Sequence, residues 1–279
     1  MTRRQRTVIN DNYRKKWEAA FYSPVLRALK YQISSFISDI KKEGLTVAQS
    51  RLTYQILNEK MAIVISGLYR VAGVDAANRE LRKRKQEPMV KGRTFGFNAE
   101  WAAQIQDYFR MHLFDKVVLP ITETTKEQLQ RKIQEMIDNG ESIEWLVQQV
   151  KDKDFTDWRA RMIARTESNR AINYGQQIGA EKSKFKLNKE WVAVHDDRTR
   201  HSHLLLDGKI VGEMEEFKPG LQFPGDPNGD KKETINCRCH LEYHSLRDAN
   251  GRLIPKEPNK IRVTQAVRQE FQAIIAALN

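Results

Sequence analysis

The sequence predicts an α+β protein: a predominantly helical N-terminal part, then a small α+β domain with a long helix, a hairpin and a Cys-x-Cys strand. Three observations predict it. Apolar residues recur at helical spacing from Leu26 to about Ser183. After Leu187 the pattern shortens to strand-like runs: 191–194 reads as a strand, and 203–206 with 209–211 as a hairpin about the Asp207-Gly208 turn signal. Both cysteines, Cys237 and Cys239, and five of the six histidines fall between residues 195 and 244.

In order, residues 1–10 are polar and basic without a period and read as a mobile arm. Ser23-Pro24 reads as a cap and first-turn proline that starts or kinks a helix. Leu26, Leu29, Ile33, Phe36, Ile37 and Ile40 give it one apolar face, and Gly44 ends it. A second helix is expected over 47–71. The basic run Arg82-Lys83-Arg84-Lys85 follows, then Pro88, Gly92 and Gly96 as a flexible boundary. From Asn98 helical spacing resumes, with Pro120 as a stop, Thr122 or Thr124 as the next cap and Asn139-Gly140 as that helix's end. Ser142 opens a short further helix. The stretch 157–183 is the long helix, with a small-residue stripe including Gly175 and Gly179. Glycine inside a helix costs about 0.5–1 kcal/mol relative to alanine, so this stripe implies close approach of another backbone. Arg165 and Glu167 lie off the stripe, where they can hold a loop or simply face solvent. The division expected is 1–96 basic helical, 97–156 helical connector, 157–250 α+β, and 251–279 a C-terminal amphipathic helix carrying Val267, Phe271, Ile274, Ile275 and Leu278.

The net charge of +12 lies in the first 96 residues, which carry all +12; 97–187 carry 0, 188–250 carry −3 and 251–279 carry +3. Such asymmetry suits a polyanion or an acidic partner at the front, or a solvated basic face. Arg82, Lys83, Arg84 and Lys85 are the candidate phosphate contacts. No apolar run approaches the roughly 18 residues of a membrane span, so a soluble, cytoplasmically made protein without a membrane partner is expected.

On a strand, alternate side chains share a face, which would bring Cys237 with Cys239 and His201 with His203. Two imidazoles opposite two thiolates make a tetrahedral zinc set, so His203, Cys237, Cys239 and His201 are the candidate ligands of a structural zinc. The same residues also suit two buried cysteines with polar loop histidines, or a Cys–His nucleophile. A metal-dependent nuclease would draw on Asp196, Asp197, Asp207, Asp226 and Asp230, which sit where turn formers sit. No convincing catalytic constellation emerges, so a non-enzyme is expected.

The ordered set Ile163-Ala164-Arg165-Thr166-Glu167, Ala171, Asn173, Gly175, Trp191, Asp197-Arg198-Thr199-Arg200, His203, Asp207-Gly208, Phe223-Pro224-Gly225-Asp226-Pro227 and Ile235-Asn236-Cys237-Arg238-Cys239 resembles the tailed-phage minor head, or phage Mu F-like head morphogenesis, proteins. The resemblance covers about 157–245, and its motif includes His203, Cys237 and Cys239. It implies a low-copy protein of the procapsid interior at the portal vertex, present in the host cytoplasm during assembly. The implied partners are the portal protein, the major capsid or scaffold protein, and double-stranded DNA bound without sequence preference.

Overall fold

The computed structural model describes residues 2–45, 48, 56–83, 103–104 and 107–256. The expected run Arg84-Lys85, the Pro88–Gly96 boundary, most of the onset at Asn98 and the tail helix after Pro258 lie outside them.

Helix α1 spans Arg3–Glu43. The N-terminal arm is thus helix: Thr2 accepts from Gln5 N–H while Gln5 answers the Thr2 N–H, a reciprocal cap that satisfies two first-turn donors. Pro24 neither starts nor breaks it. The helix runs through because both flanks of the proline are anchored, Trp17 on one side and Val25, Ala28 and Leu29 on the other, all in one core. Gly44, at φ +85, ends it as expected.

Helix α2 (Ile56–Leu68) passes through a π-helical turn (Tyr69–Gly73) into α3 (Val74–Lys83). A second π-helical segment, Phe109–Val118, leads into α4 (Leu119–Asp138). Pro120 therefore does not stop the helix: it is the second residue of α4, directly after the π-helical segment, and the chain continues through it. Thr122 and Thr124 fall inside α4, where Thr122 accepts from buried Gln32 of α1. Ser142 caps α5 (Ile143–Lys151) by accepting from Trp145 N–H at 3.1 Å. The long helix α6 (Lys153–Glu181) starts a turn earlier than its apolar pattern suggested.

Helix α1 serves two cores. Its first half joins α2, α3, the segment 113–118 and α6; its second half, Ile33 to Ile40, packs with Leu129, Ile133 and Met136 of α4 and Leu146 and Val150 of α5. The small-residue stripe of α6 does what its spacing required. A Cβ on Gly175 would strike the Gly73 carbonyl, and one on Gly179 would lie 2.6 Å from the Ala77 carbonyl oxygen, so α6 lies backbone against backbone on the π-turn and α3.

A three-stranded antiparallel sheet, order β2-β1-β3, is built from β1 (Leu187–Val192), β2 (Ile210–Gly212) and β3 (His240–Ser245). Trp191 pairs with Leu241, and Lys189 with Val211. The hairpin partner of 209–211 is β1, not 203–206 as expected. Residues His201–Leu204 form a short helix, α7, and the Gly208 turn, at φ +78, feeds β2 back onto β1 through Gly208 N–H to the Trp191 carbonyl. Among the described residues, no helix is long and apolar enough to cross a membrane.

Lys189 stands mid-strand, fully buried, its ammonium without a hydrogen-bond partner among the described residues and 5.6 Å from the Phe217 ring centre. Burial pulls its pKa down to about 8 from 10.5, against the pull of Asp226 and three glutamates. Between those values the unfolded chain holds more proton than the folded one, so stability should rise from pH 8 to 10.5. Lys189→Met is expected to raise stability at pH 7 by about 1 kcal/mol and to flatten that rise. Urea unfolding at pH 7 and 9.5 checks both.

Candidate metal centre

The two cysteines come from the loop between a one-turn helix, α8 (Lys231–Thr234), and β3. Asp230 caps α8, accepting from Lys232 N–H at 2.8 Å. The chain then reverses at Asn236, a non-glycine residue with positive φ, +59, whose N–H donates to the Thr166 hydroxyl of α6. Helix α6 also holds the residues after this reversal. Asn169 and Asn173 both donate to the Cys239 carbonyl, at 3.1 and 3.2 Å, and Asn173 accepts from Leu241 N–H. Arg170, ion-paired to Glu167 at 2.7 Å, donates to the Gly225 carbonyl, and Asn173 to that of Pro224. One face of α6 therefore sets the backbone of both the Cys-x-Cys segment and the Pro-Gly loop. Arg165 reaches back to Glu18 of α1 at 3.0 Å.

His203 meets the thiols from α7. Its Nδ1 lies 3.4 Å from Cys239 Sγ and 3.7 Å from Cys237 Sγ, and all three residues are buried. The Trp191 ring stands edge-on to the imidazole at 5.3 Å, and Arg200 ties the α7 entry to the Ile235 carbonyl at 2.6 Å. On the far side, His203 Nε2 lies 2.9 Å from Glu233. Burial works to raise the Glu233 carboxyl, but the Ser202 hydroxyl, Lys218 and His203 outweigh it and hold it below the usual range. The thiols are unequal. Hydrogen bonding to Cys239 draws the Cys237 pKa down despite burial, while the same contact and burial drive Cys239 well up.

This donor set fits a tetrahedral ion. Zn–S near 2.3 Å and Zn–N near 2.05 Å put sulfur and nitrogen about 3.5 Å apart along a tetrahedral edge, between the two separations observed. The carboxylate behind the imidazole is the outer partner that metal-bound histidines commonly have. Three donors are supplied, and His201 is not among them. The segment 201–204 is helical, so residues two apart point to nearly opposite sides; His203 turns inward and His201 stays exposed. Glu233 and the asparagines of α6 were not foreseen as parts of the site.

Of the aspartates weighed for hydrolysis, Asp196, Asp207, Asp226 and Asp230 are engaged locally, and among the described residues no aspartate joins a cluster of potential metal donors. Asp196 is held well below the usual carboxylate range by Arg238. Asp207 accepts from Ala193 N–H, Asp226 from Gln222 and Asn228 N–H, and Asp230 caps α8. Of the basic run, Arg82 and Lys83 end α3, with Lys83 3.2 Å from Glu80.

Residues 127–242 match the family described as Phage Mu protein F like protein. The chain carries a phage Mu F-like domain. That span holds α5, α6, the sheet through Glu242 and the whole His203–Cys237–Cys239 cluster. The chain is 29% identical over 246 residues to the minor head protein GP7 of Bacillus phage SPP1, covering 78% of each. It is 27% identical over 161 residues to the uncharacterized protein YqbB of Bacillus subtilis, 55% of this chain and 49% of that one. An 86-residue stretch is 38% identical to an NAD(+)–arginine ADP-ribosyltransferase of Enterococcus faecalis, 29% of this chain but 18% of that protein. No solved structure matches. The phage Mu F-like kinship read from the ordered motif is borne out.

Proposed function

We propose that this protein is a structural, non-enzymatic component of a phage head, present at low copy inside the capsid near the portal vertex and acting in head assembly or DNA delivery. One observation carries the reading: similarity to a minor head protein extends over 78% of both chains and so reaches well beyond the Mu F-like match at 127–242. On this reading the partners are the portal protein, the major capsid or scaffold protein, and double-stranded DNA bound through its backbone. His203, Cys237 and Cys239 hold a zinc ion that fixes the rear module, and Glu233 orients the imidazole. The protein is made in the host cytoplasm and ends in the virion.

Co-expression with the portal, scaffold and major capsid proteins of the phage that encodes it tests this. Purified procapsids should contain the protein at a few copies each, and detergent-free portal preparations should retain it. Normal procapsids with all of the protein left in the unassembled fraction would overturn the assignment.

A further inference from the structure

Away from the thiols, a cleft of about 550 Å³ opens between the first half of α1, α6 and the loop after β1. Its charges are unevenly matched. Asp11 serves both Arg14 and Lys15, at 2.7 and 2.8 Å. Glu18 serves both Arg14 and Arg165. Asp196 serves both Arg238 and Arg198, the latter at 3.7 Å. The sixth cation, Arg161, pairs with Asp157 at 2.9 Å and lies over the Tyr22 ring. Six cations against the three lining carboxylates and Asp157 leave an excess of two positive charges around one opening.

The excess is presented outward. Lys15, Arg161 and Arg198 are 61%, 61% and 68% exposed and ring the mouth, while Arg14 and Arg238 lie deeper at 5% and 10%. Buried guanidiniums held by shared carboxylates, with exposed cations at the rim, suit successive anions on a polymer better than one small ion. A DNA strand supplies a charge about every 3.4 Å of helix axis.

We propose that this cleft is where the protein grips the phosphodiester backbone of double-stranded DNA. The inference rests on the reading above that the protein meets DNA. It assigns that contact to both ends of the sequence, since α1 and the Mu F-like domain each supply half of the wall.

Fluorescence anisotropy of the full-length protein with a labelled duplex, across a salt series, tests it. The variant Lys15→Gln/Arg161→Gln/Arg198→Gln is compared with Lys126→Gln/Arg131→Gln/Lys132→Gln, which removes equal charge from α4. The cleft variant should bind at least ~10-fold more weakly at 0.1 M salt, with a slope of log K against log salt shallower by about 2, while the α4 variant follows wild type. Equal weakening in both, or none in either, overturns the cleft and leaves DNA binding standing. A wild-type protein that fails to bind duplex overturns both. Competition by ATP at concentrations that match duplex phosphate would assign the cleft to free nucleotides and also overturn the proposal. Should the triple variant melt early, Arg198→Gln alone, on an exposed loop, must still lower the slope measurably.

Discussion

Protein purified from zinc-supplemented medium is expected to carry about one zinc per chain, and Cys237→Ser/Cys239→Ser is expected to carry almost none. Loss of the ion should lower the unfolding free energy by on the order of 3 kcal/mol or more, because the three donors converge only in the folded chain and metal affinity then counts as folding energy. The donors come from segments about 34 residues apart, Cys237 and His203, so the ion closes a long loop. Because serine can harm packing by itself, wild-type protein stripped by a chelator and then reloaded is the companion measurement. Its melting temperature should fall and recover, and metal retention should weaken as pH drops and the thiolates regain protons. Elemental analysis and thermal melts read all of this. A metal-free protein that melts at the same temperature with and without zinc would remove the ion and leave His203 as a buried partner of two thiols. Glu233→Gln should keep the ion but loosen it by about 10-fold, since the carboxylate acts through the imidazole.

Gly175→Ala is expected to cost about 3 kcal/mol or to prevent folding. Its new methyl would meet the Gly73 carbonyl and sit 2.8 Å from the Gly73 Cα, both backbone atoms of an element locked in the same core. Relief requires α6 to withdraw from the π-turn, and α6 is the helix that carries Asn169, Arg170 and Asn173 to the cysteine segment. The substitution should therefore lower zinc retention together with stability. Gly67→Ala in α2 is the contrast: nothing lies within 4 Å of its added methyl, and the helix should gain about 0.5–1 kcal/mol. Chemical unfolding of the two variants separates contact from propensity. Similar gains in both would mean that α6 does not approach the π-turn as closely as described.

Much of the fold and of the site is legible in the sequence, and particular elements say why. The glycine stripe on α6 forecasts backbone contact because no cheaper explanation accounts for two glycines in a long helix. Cys237 and Cys239 converge on His203 as their i,i+2 spacing suggests, but from the loop ahead of β3 and not from the strand expected, with the Cys239 carbonyl held by Asn169 and Asn173. His201 fails because its segment is helical. A run of leucines after His203 reads as strand by composition, but α7 is only one turn long and is set by contacts with Trp191 and Ile235, which local pattern does not contain. Pro120 and Thr2 show the same limit at helix ends. Whether a proline stops a helix or lies within one depends on where the preceding π-helical segment delivers the chain. Glu233 gives no signal, since one carboxylate in a polar turn looks like any other.

Helix α1 runs as a single beam from the third residue to the forty-third, with one half in each of the two large cores. Shortening the gene from its 5′ end would therefore not release a trimmed but intact remainder; it would strip a wall from both interiors at once. Genetic dissection of this protein has to proceed by point changes on its surface, and a phenotype seen with a front-end deletion reports collapse before it reports any lost partner.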